Sequence, residues 1–444
     1  MGKTILRIFS MALILVGGLS IPEALSQRRP QYPVTHYTLK NGLQVILAED
    51  YSFPIVSVVV TYRVGSMDEV PGKTGLSYLM ENLMFQGSAN VSPMQHFHYI
   101  NRIGGELNAS TSEDRTVFQQ TVPSNQLALV LWLESDRMRF LEIDEMKVDQ
   151  IKNMLLEDLR QRRDNNPYLE SFFLFDQFFF SDFAHGHPFL GNTVDIRNLT
   201  VEDVRNFYSS FYVPNNTVLC IVGNFNKVKA NELVAKYFET IPKGKEVTFA
   251  TEPFAPAKKA LQKDMENSLT PSPAFHLGFR IAPPQSSDFY TVTILDYLLL
   301  RGQTSRLPKR LYKKEKIAIQ LSGGIEKRRD RALYRIFATC NNQFMVNQCQ
   351  EAIFSELEKL KTTFISETEL TKAKNMFKQD HLRKLSTTLD KALYLTEIFL
   401  THENVEDPQR ELDEYLAVTP TDVVAIANRY FLQKNSVILN VKIK

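Results

Sequence analysis

The sequence predicts an α+β protein made of two homologous domains, and three observations lead to this fold class. The chain has 444 residues, which is more than a single hydrophobic core usually supports. A segment of the first half recurs near the end of the second half. Strand and helix patterns come in groups instead of strict alternation, which is typical of the α+β class.

The internal repeat is the strongest of these observations. LTVEDVRNFYSSFYVPNNTVLCIVG, which starts at Leu199, aligns without gaps with VTPTDVVAIANRYFLQKNSVILNVK, which starts at Val418. Each copy reads as a threonine cap, an amphipathic helix, a polar turn and an apolar strand. A repeat of this length indicates that a domain of roughly two hundred residues has been duplicated and argues against a short-period solenoid.

The remaining elements follow the same plan in each half. Strands open both halves, long helices follow, and strands return at the end; the opening strands are THYTLKNGLQVILAED and PIVSVVVTYRVGS in the first half and SPAFHLGFRIAPP in the second. Between them, IPKGKEVTFATEPFAPAKKA is rich in proline, lysine and alanine, as linkers often are. These patterns predict an N-terminal domain over residues 27–241, a linker over 242–265 and a C-terminal domain over 266–444.

Residues 1–26 predict a secretory signal peptide. Lys3 and Arg7 precede an apolar run from Ile8 to Leu19, and small residues follow at Ala24 and Ser26. A buried N-terminal helix and a retained membrane anchor are the alternatives, although the apolar run is short for a bilayer span of about 20 residues. We therefore expect an exported protein, periplasmic or secreted, whose mature form does not span a membrane.

Composition narrows the possible partners. The formal net charge is +2, which gives no reason to expect binding to nucleic acid. The stretch 301–331 is locally basic, with KRLYKK and EKRRDR. Such runs are usually solvated faces, and the alternative is attraction of acidic peptides or of a partner surface.

Three cysteines are present, and none has the spacing of a zinc site. Cys220, within NTVLCIVG, is expected to be a buried strand thiol. Cys340 and Cys349 are the closest pair in sequence, and export permits a disulfide between them, although spacing alone does not establish the pairing.

One early segment, GLSYLMENLMFQGS, places polar residues on an apolar helix pattern. Tyr78, Glu81 and Asn82 are spaced i, i+3 and i+4, so a helix directs all three to one face. Buried polar groups need hydrogen-bond partners. A helix that is otherwise apolar therefore directs three polar groups to one place.

The sequence resembles the insulinase/pitrilysin (M16) family of zinc peptidases over essentially the whole mature chain. The resemblance rests on the order and spacing of TLKNGLQVILAED, GLSYLMENLMFQGS, GGELNASTSEDRTVFQQTVP, LALVLWLESDRM, HPFLGNTVDIRNLTVEDVRNFYSSFYVPNNTVLCIVGNF and TSRLPKRLYKKEKIA. It implies two homologous domains of the M16 peptidase type, each a mixed or antiparallel sheet packed with helices, that form half of a clam-shell. It also implies zinc metalloendopeptidase activity in members whose metal site is intact.

Active members of the family carry an H-x-x-E-H motif on the early helix and a third ligand, a glutamate, on a later helix. In this sequence Tyr78 and Asn82 match the two histidine positions, Asp158 matches the third ligand, and Glu81 matches the general base. A tyrosine, whose ordinary pKa is about 10, and an asparagine amide are poor zinc ligands. The resemblance therefore implies vacated zinc-ligand positions, no bound metal or other cofactor, and no catalytic residue.

The fate of the vacated site remains open between two arrangements. Tyr78 and Asn82 could hydrogen-bond to each other, to Glu81 or to Asp158, or Glu81 could face solvent in a cleft. The function is open in the same way. The alternatives to an inactive homologue are an active metallopeptidase with an atypical metal site and a structural component of an envelope assembly.

Family members bind peptide as an added strand at an exposed sheet edge. The matching residues here are Asn108, Ala109 and Ser110. The resemblance thus implies polypeptide binding, with a zinc-bearing M16-type subunit as the partner. Where the non-catalytic subunit of two-chain members carries an arginine and a tyrosine, this sequence has Tyr312 and Ile319, so it departs from the usual non-catalytic partner.

Overall fold

The computed structural model describes residues 33–249, 259–363, 365–405 and 408–444. The predicted signal peptide, 1–26, and the middle of the predicted linker, 250–258, lie outside the described residues. Val34–Lys444 forms one compact unit. Within the described ranges, no helix has both the length and the hydropathy that crossing a bilayer requires.

The first half contains a six-stranded mixed sheet. Its strands are β1 (Val34–Thr38), β2 (Gln44–Glu49), β3 (Ile55–Tyr62), β4 (Glu106–Thr111), β5 (Thr116–Pro123) and β6 (Thr217–Gly223), in the order β1-β2-β6-β3-β5-β4. The β2–β6 pair is parallel, and the other pairs are antiparallel. β6 is buried along its whole length, which explains why TVLCIVG is an uninterrupted apolar run.

The second half repeats this arrangement. Its strands are β7 (Leu261–Asn267), β8 (Ala274–Ile281), β9 (Gln320–Lys327), β10 (Ala332–Thr339) and β11 (Val437–Ile443), in the order β7-β11-β8-β10-β9. The β7–β11 pair is parallel and the others are antiparallel. Order and direction match β2-β6-β3-β5-β4 strand for strand, so the predicted α+β fold of two homologous halves is confirmed.

Helices cover both sheets. Those of the first half are α1 (Leu76–Leu83), α2 (Gln95–Arg102), α3 (Leu127–Phe140), α4 (Glu145–Asn165), α5 (Leu169–Phe179), α6 (Phe183–Gly186), α7 (Thr193–Asn198), α8 (Val201–Phe211) and α9 (Lys227–Phe238). Those of the second half are α10 (Asp288–Leu299), α11 (Arg306–Pro308) with the π-helix Lys309–Lys314, α12 (Gln343–Thr362), α13 (Glu367–Arg383), α14 (Thr388–His402), α15 (Pro408–Ala417) and α16 (Pro420–Tyr430). Thr200 and Thr419 close capping boxes at α8 and α16, which are the caps that the repeat predicts.

The predicted linker, 242–265, is wrong at its C-terminal end. β7 begins at Leu261, inside that range. The strand reads LQKDMEN and most of its side chains are exposed, so it lacks the apolar alternation that identifies a half-buried strand. Parallel pairing with β11 defines this strand, and that pairing cannot be read from a local pattern.

The two halves exchange helices. α14, from the second half, packs on β3 and β6 of the first sheet, and α5, from the first half, packs on β8 and β11 of the second sheet. The register that pairs Thr200 with Thr419 also pairs Leu169 with Thr388, the first residues of α5 and α14. Equivalent helices therefore cover the opposite sheets, and the core of each half depends on the other.

The halves are also joined by ion pairs, which corrects one expectation. EKRRDR spans the turn between β9 and β10, and Arg328 and Arg331 in it are buried. Arg328 pairs with Glu113 at 3.0 Å, and Arg329 contacts the two carboxylate oxygens of Asp68 at 3.0 and 2.9 Å. Carboxylates of the first half thus neutralise this run, which is neither a solvated face nor a free surface for acidic peptides.

The cysteines are buried and reduced. Cys220 lies in the central strand β6, as the apolar run predicts. Cys340 and Cys349 lie side by side, so that each thiol shifts the pKa of the other. The two cysteines that are closest in sequence are thus adjacent in space, and a disulfide after export stays an alternative that the sequence permits.

Candidate functional site

Helix α1 carries the candidate site and is anchored at its start. The buried carboxylate of Glu69 accepts hydrogen bonds from the N–H groups of Gly75 and Ser77, both at 2.8 Å. These bonds satisfy two of the N–H groups that a helix start leaves without partners. Burial raises the pKa of Glu69, and the hydrogen bond to His187, at 3.2 Å, opposes that rise. The helix is therefore held in place independently of the site residues.

Tyr78, Asp158 and Arg162 form a hydrogen-bonded cluster between α1 and α4. The Tyr78 hydroxyl donates to Asp158 Oδ2 at 3.0 Å, and Arg162 Nε donates to the same oxygen at 2.7 Å. Arg162 Nη2 lies 3.4 Å from the Tyr78 hydroxyl. Burial, reinforced by the charge of Asp158, raises the pKa of Tyr78 to about 12, so the phenol stays neutral. The cation beside Asp158 is a guanidinium from the same helix.

The other two polar residues of α1 lie outside this cluster. Asn82 Nδ2 donates to the backbone carbonyl of Tyr78 at 2.9 Å, so the amide is turned back along its own helix. The Glu81 carboxylate lies against the backbone and side chain of Thr111 in β4; burial raises the pKa of Glu81, and these neighbouring groups oppose the rise. Of the arrangements left open by the sequence, the Tyr78–Asp158 and Asn82–Tyr78 bonds are observed, and Glu81 lies against β4 instead of standing free in solvent.

These donors do not fit a catalytic zinc site. A neutral phenol and an amide committed to a helix carbonyl are weak ligands for zinc, and Arg162 already occupies the Asp158 carboxylate. In the part of the chain that the structure describes, no group of three or more His, Cys, Asp or Glu side chains is placed to hold a metal ion. We therefore derive no catalytic step through a metal, and the roles of Tyr78, Asn82 and Asp158 as vacated ligand positions stay predictions.

Arg162 belongs to the site although the sequence prediction omitted it. The available signal is its position one helical turn after Asp158, a spacing that favours an ion pair. Arg160 and Arg163 on the same helix bond in a similar way to Glu157 and Glu170. The sequence alone could not show which arginine of this helix faces α1.

The second half contains the same kind of tyrosine–aspartate contact. The register of the internal repeat pairs Tyr78 with Tyr297 of α10. The Tyr297 hydroxyl donates to Asp380 Oδ2 of α13 at 2.9 Å, and α10 and α13 are the counterparts of α1 and α4. A contact that recurs in both halves is a structural link between two helices.

β4 is the last strand of the first sheet, with no neighbour on its outer side among the described residues. Asn108, Ala109 and Ser110 pair with β5 on the inner side. Bonded positions alternate along an antiparallel ladder, and this ladder ends with the Ser112 N–H bonded to the Arg115 carbonyl. The backbone of Ala109 therefore faces the open edge, where its N–H donates to Asn108 Oδ1 at 2.9 Å.

Two family models match this duplicated α+β fold. A family model described as Insulinase (Peptidase family M16) matches residues 44–174. A second model, described as Peptidase M16 inactive domain, matches residues 198–377. The chain belongs to the M16 peptidase family.

Individual relatives resemble the chain over most of its length. Zinc protease PqqE from Helicobacter pylori is 28% identical, covering 98% of this chain and 97% of the relative. Uncharacterized zinc protease YmxG from Bacillus subtilis is 24% identical, covering 81% and 86%. The crystal structure of a protease from Helicobacter pylori matches with a TM-score of 0.87 at 27% identity, covering 93% and 100%. The periplasmic protease PqqL from Escherichia coli shares the fold, with a TM-score of 0.76 at 17% identity, covering 93% and 48%.

Proposed function

We propose that this protein is a catalytically inactive M16 peptidase homologue that binds extended polypeptide. The observation that carries the proposal is the cluster of Tyr78, Asp158 and Arg162, which is closed by hydrogen bonds of 3.0 and 2.7 Å. Asp158 stands at the position where the family resemblance places a zinc ligand. Its positively charged partner is the guanidinium of Arg162 instead of a metal ion.

Without a metal ion the chemistry of peptide hydrolysis is lost, whereas the peptide-binding edge of β4 does not depend on the metal. In zinc hydrolases the metal lowers the pKa of its bound water to about 7 and polarises the carbonyl under attack. Glu81 alone supplies neither effect, and its carboxylate lies against Thr111. Strand addition uses backbone hydrogen bonds and does not require the metal, so the open edge of β4 keeps its function.

The rival proposal is an active metallopeptidase with an atypical metal site. It is worth testing because relatives of this chain are named zinc proteases. We expect no cleavage of unfolded peptides by the wild-type protein in the presence of added zinc, cobalt or manganese. The reason is that Tyr78, Asn82 and Asp158 already form hydrogen bonds within the chain. Mass spectrometry of the incubated peptides measures this. Metal-dependent cleavage that disappears in Glu81→Gln would establish the rival and remove the proposal.

Peptide binding at β4 is tested by replacing Ala109 with proline. Proline removes an N–H that faces the open edge, and β-edges tolerate proline where that donor points outward. The pairing of β4 with β5 should therefore survive, while the affinity for an unfolded peptide should fall roughly tenfold, as expected for lost backbone hydrogen bonds. Fluorescence anisotropy with a labelled peptide of mixed composition measures the affinity.

The matched control for this experiment is Ala109→Ser, which keeps the N–H and adds one hydroxyl. We expect it to bind like the wild type, and both variants should retain the wild-type melting temperature. Equal affinities for the proline and serine variants, with both folded, would remove β4 as the peptide site.

Partner and location are part of the same proposal. We expect a zinc-bearing M16-type subunit to close the chamber against this chain, and we expect export, on the pattern of residues 1–26. A periplasmic M16-like fold such as PqqL is compatible with that location. Sedimentation of the protein with such a subunit at micromolar concentration tests the pairing; failure to associate favours the alternative role as a structural component of an envelope assembly.

A further inference from the structure

We propose that Arg162 binds the polypeptide directly, by donating hydrogen bonds to a backbone carbonyl oxygen of a segment laid along β4. This inference rests on the proposed function and adds to it the residue that replaces the metal as a carbonyl ligand. It also defines the preferred ligand, which is an internal stretch of extended chain.

The guanidinium has donors to spare on an accessible surface. One edge, through Nε, bonds Asp158 at 2.7 Å, and Nη2 lies at the long distance of 3.4 Å from the Tyr78 hydroxyl. Nη1 makes no hydrogen bond to any residue that the structure describes. The Arg162 side chain is 46% exposed. A guanidinium presents five N–H donors in a rigid fork, so several remain for a ligand.

The position of the guanidinium relative to β4 follows from helix α1. Arg162 Nη2 lies 3.4 Å from the hydroxyl of Tyr78 on α1, and α1 packs on β4, with Glu81 of the same helix against Thr111 at the end of that strand. A bound peptide that pairs with the outer edge of β4 passes the backbone of Ala109 and then reaches these side chains of α1 and α4. In this pose its carbonyl oxygens meet the Arg162 guanidinium, which lies where α4 packs on α1.

The charges around Arg162 favour a ligand whose hydrogen-bond acceptor is neutral. Asp158 and Glu81 carry two carboxylates against the single positive charge of Arg162. A peptide that ends here would bring a third carboxylate, and like charges at close range disfavour it. An internal carbonyl oxygen carries no net charge and accepts a charge-assisted hydrogen bond, which is stronger than a neutral one.

The experiment compares three single variants in the anisotropy assay, with a neutral, C-terminally amidated unfolded peptide as the probe. Arg162→Ala should weaken binding roughly tenfold, the effect of one lost hydrogen bond to a charged group. Asp158→Ala frees the remaining edge of the guanidinium, so it should bind as tightly as the wild type or more tightly. Arg160→Ala, on the solvent side of the same helix, should leave binding unchanged.

The Asp158 variant separates direct binding from a structural role. If Arg162 only holds the cluster together, Asp158→Ala and Arg162→Ala lose affinity equally, and that result overturns the inference. Equal binding by wild type and Arg162→Ala also overturns it, while the proposed peptide binding stands. No binding by the wild type removes both proposals. Circular dichroism confirms that each variant is folded.

Discussion

Replacing Arg335 with methionine is expected to lower the free energy of unfolding by about 1–3 kcal/mol, because it removes the nearer of two cations from the part-buried carboxylates of Asp176 and Glu326 and leaves Arg328, at 3.8 and 4.0 Å. Arg335 lies in β10 and is 2% exposed. Its Nη2 donates to Glu326 Oε2 at 2.7 Å and to Asp176 of α5. The pair with Asp176 joins the two halves, so its loss weakens the packing of an exchanged helix on the second sheet.

The effect of this substitution should depend on pH. Burial raises the pKa of Asp176 to about 6 from 3.8, although Arg335 opposes the rise. A carboxyl whose folded-state pKa is raised stabilises the fold at low pH, and that contribution is lost as the pH rises through the folded-state value. Without Arg335 the penalty for ionising Asp176 grows. The destabilisation should therefore be larger at pH 8 than at pH 5.

Urea denaturation at both pH values measures the loss. Arg160→Met is the matched control, because Arg160 forms its ion pairs with Glu157 and Asp164 on the exposed face of α4, where such pairs contribute little. We expect the control to unfold at the wild-type midpoint. A wild-type midpoint for Arg335→Met at pH 8 would show that the buried ion pairs do not hold the halves together.

Rebuilding the family motif is the second prediction. The variant Tyr78→His, Asn82→His, Asp158→Glu, Arg162→Gln places two imidazoles at i and i+4 and returns the missing methylene to the third ligand. It also removes the Arg162 guanidinium, whose Nε donates a hydrogen bond to Asp158 Oδ2 at 2.7 Å in the wild type. We expect it to retain about one zinc ion per chain through dialysis, with an affinity at least roughly a thousandfold above that of the wild type.

The same design without the Arg162 substitution isolates the role of the guanidinium. A cation that pairs with a metal ligand competes with the metal, so this triple variant should bind zinc roughly 10–100-fold more weakly than the quadruple variant, the usual size of effects from groups around the ligands. Competition with a chromophoric zinc chelator measures both. Equal zinc affinity in the two variants would show that Arg162 has no part in excluding metal.

Several features of the fold could be predicted because they are local or repeated. The capped helix and apolar strand after Leu199 recur after Val418, and that repeat predicted two homologous halves, which the two sheets of matching order confirm. The polar face of α1 was visible from the spacing of Tyr78, Glu81 and Asn82. These signals depend on residues close in the chain, where helix and strand periodicity act directly.

What the sequence could not show depends on distant partners. EKRRDR resembles a solvated run, and only the carboxylates of Asp68 and Glu113 in the other half explain its burial. β7 is polar and is defined by pairing with β11. Arg162 has neighbours of the same type on α4, and only the packing of α4 on α1 selects it. Long-range pairing of charges and strands leaves no periodic pattern in the chain.

The most direct test of a vacated metal site is the zinc content of the wild-type protein. The mature protein, equilibrated with zinc and then dialysed against metal-free buffer, is measured by elemental analysis. A zinc content near zero is expected, because Tyr78, Asn82 and Asp158 are bonded within the chain. About one zinc ion per chain that is lost in Asp158→Ala would contradict the proposal and return Glu81 to the role of a general base.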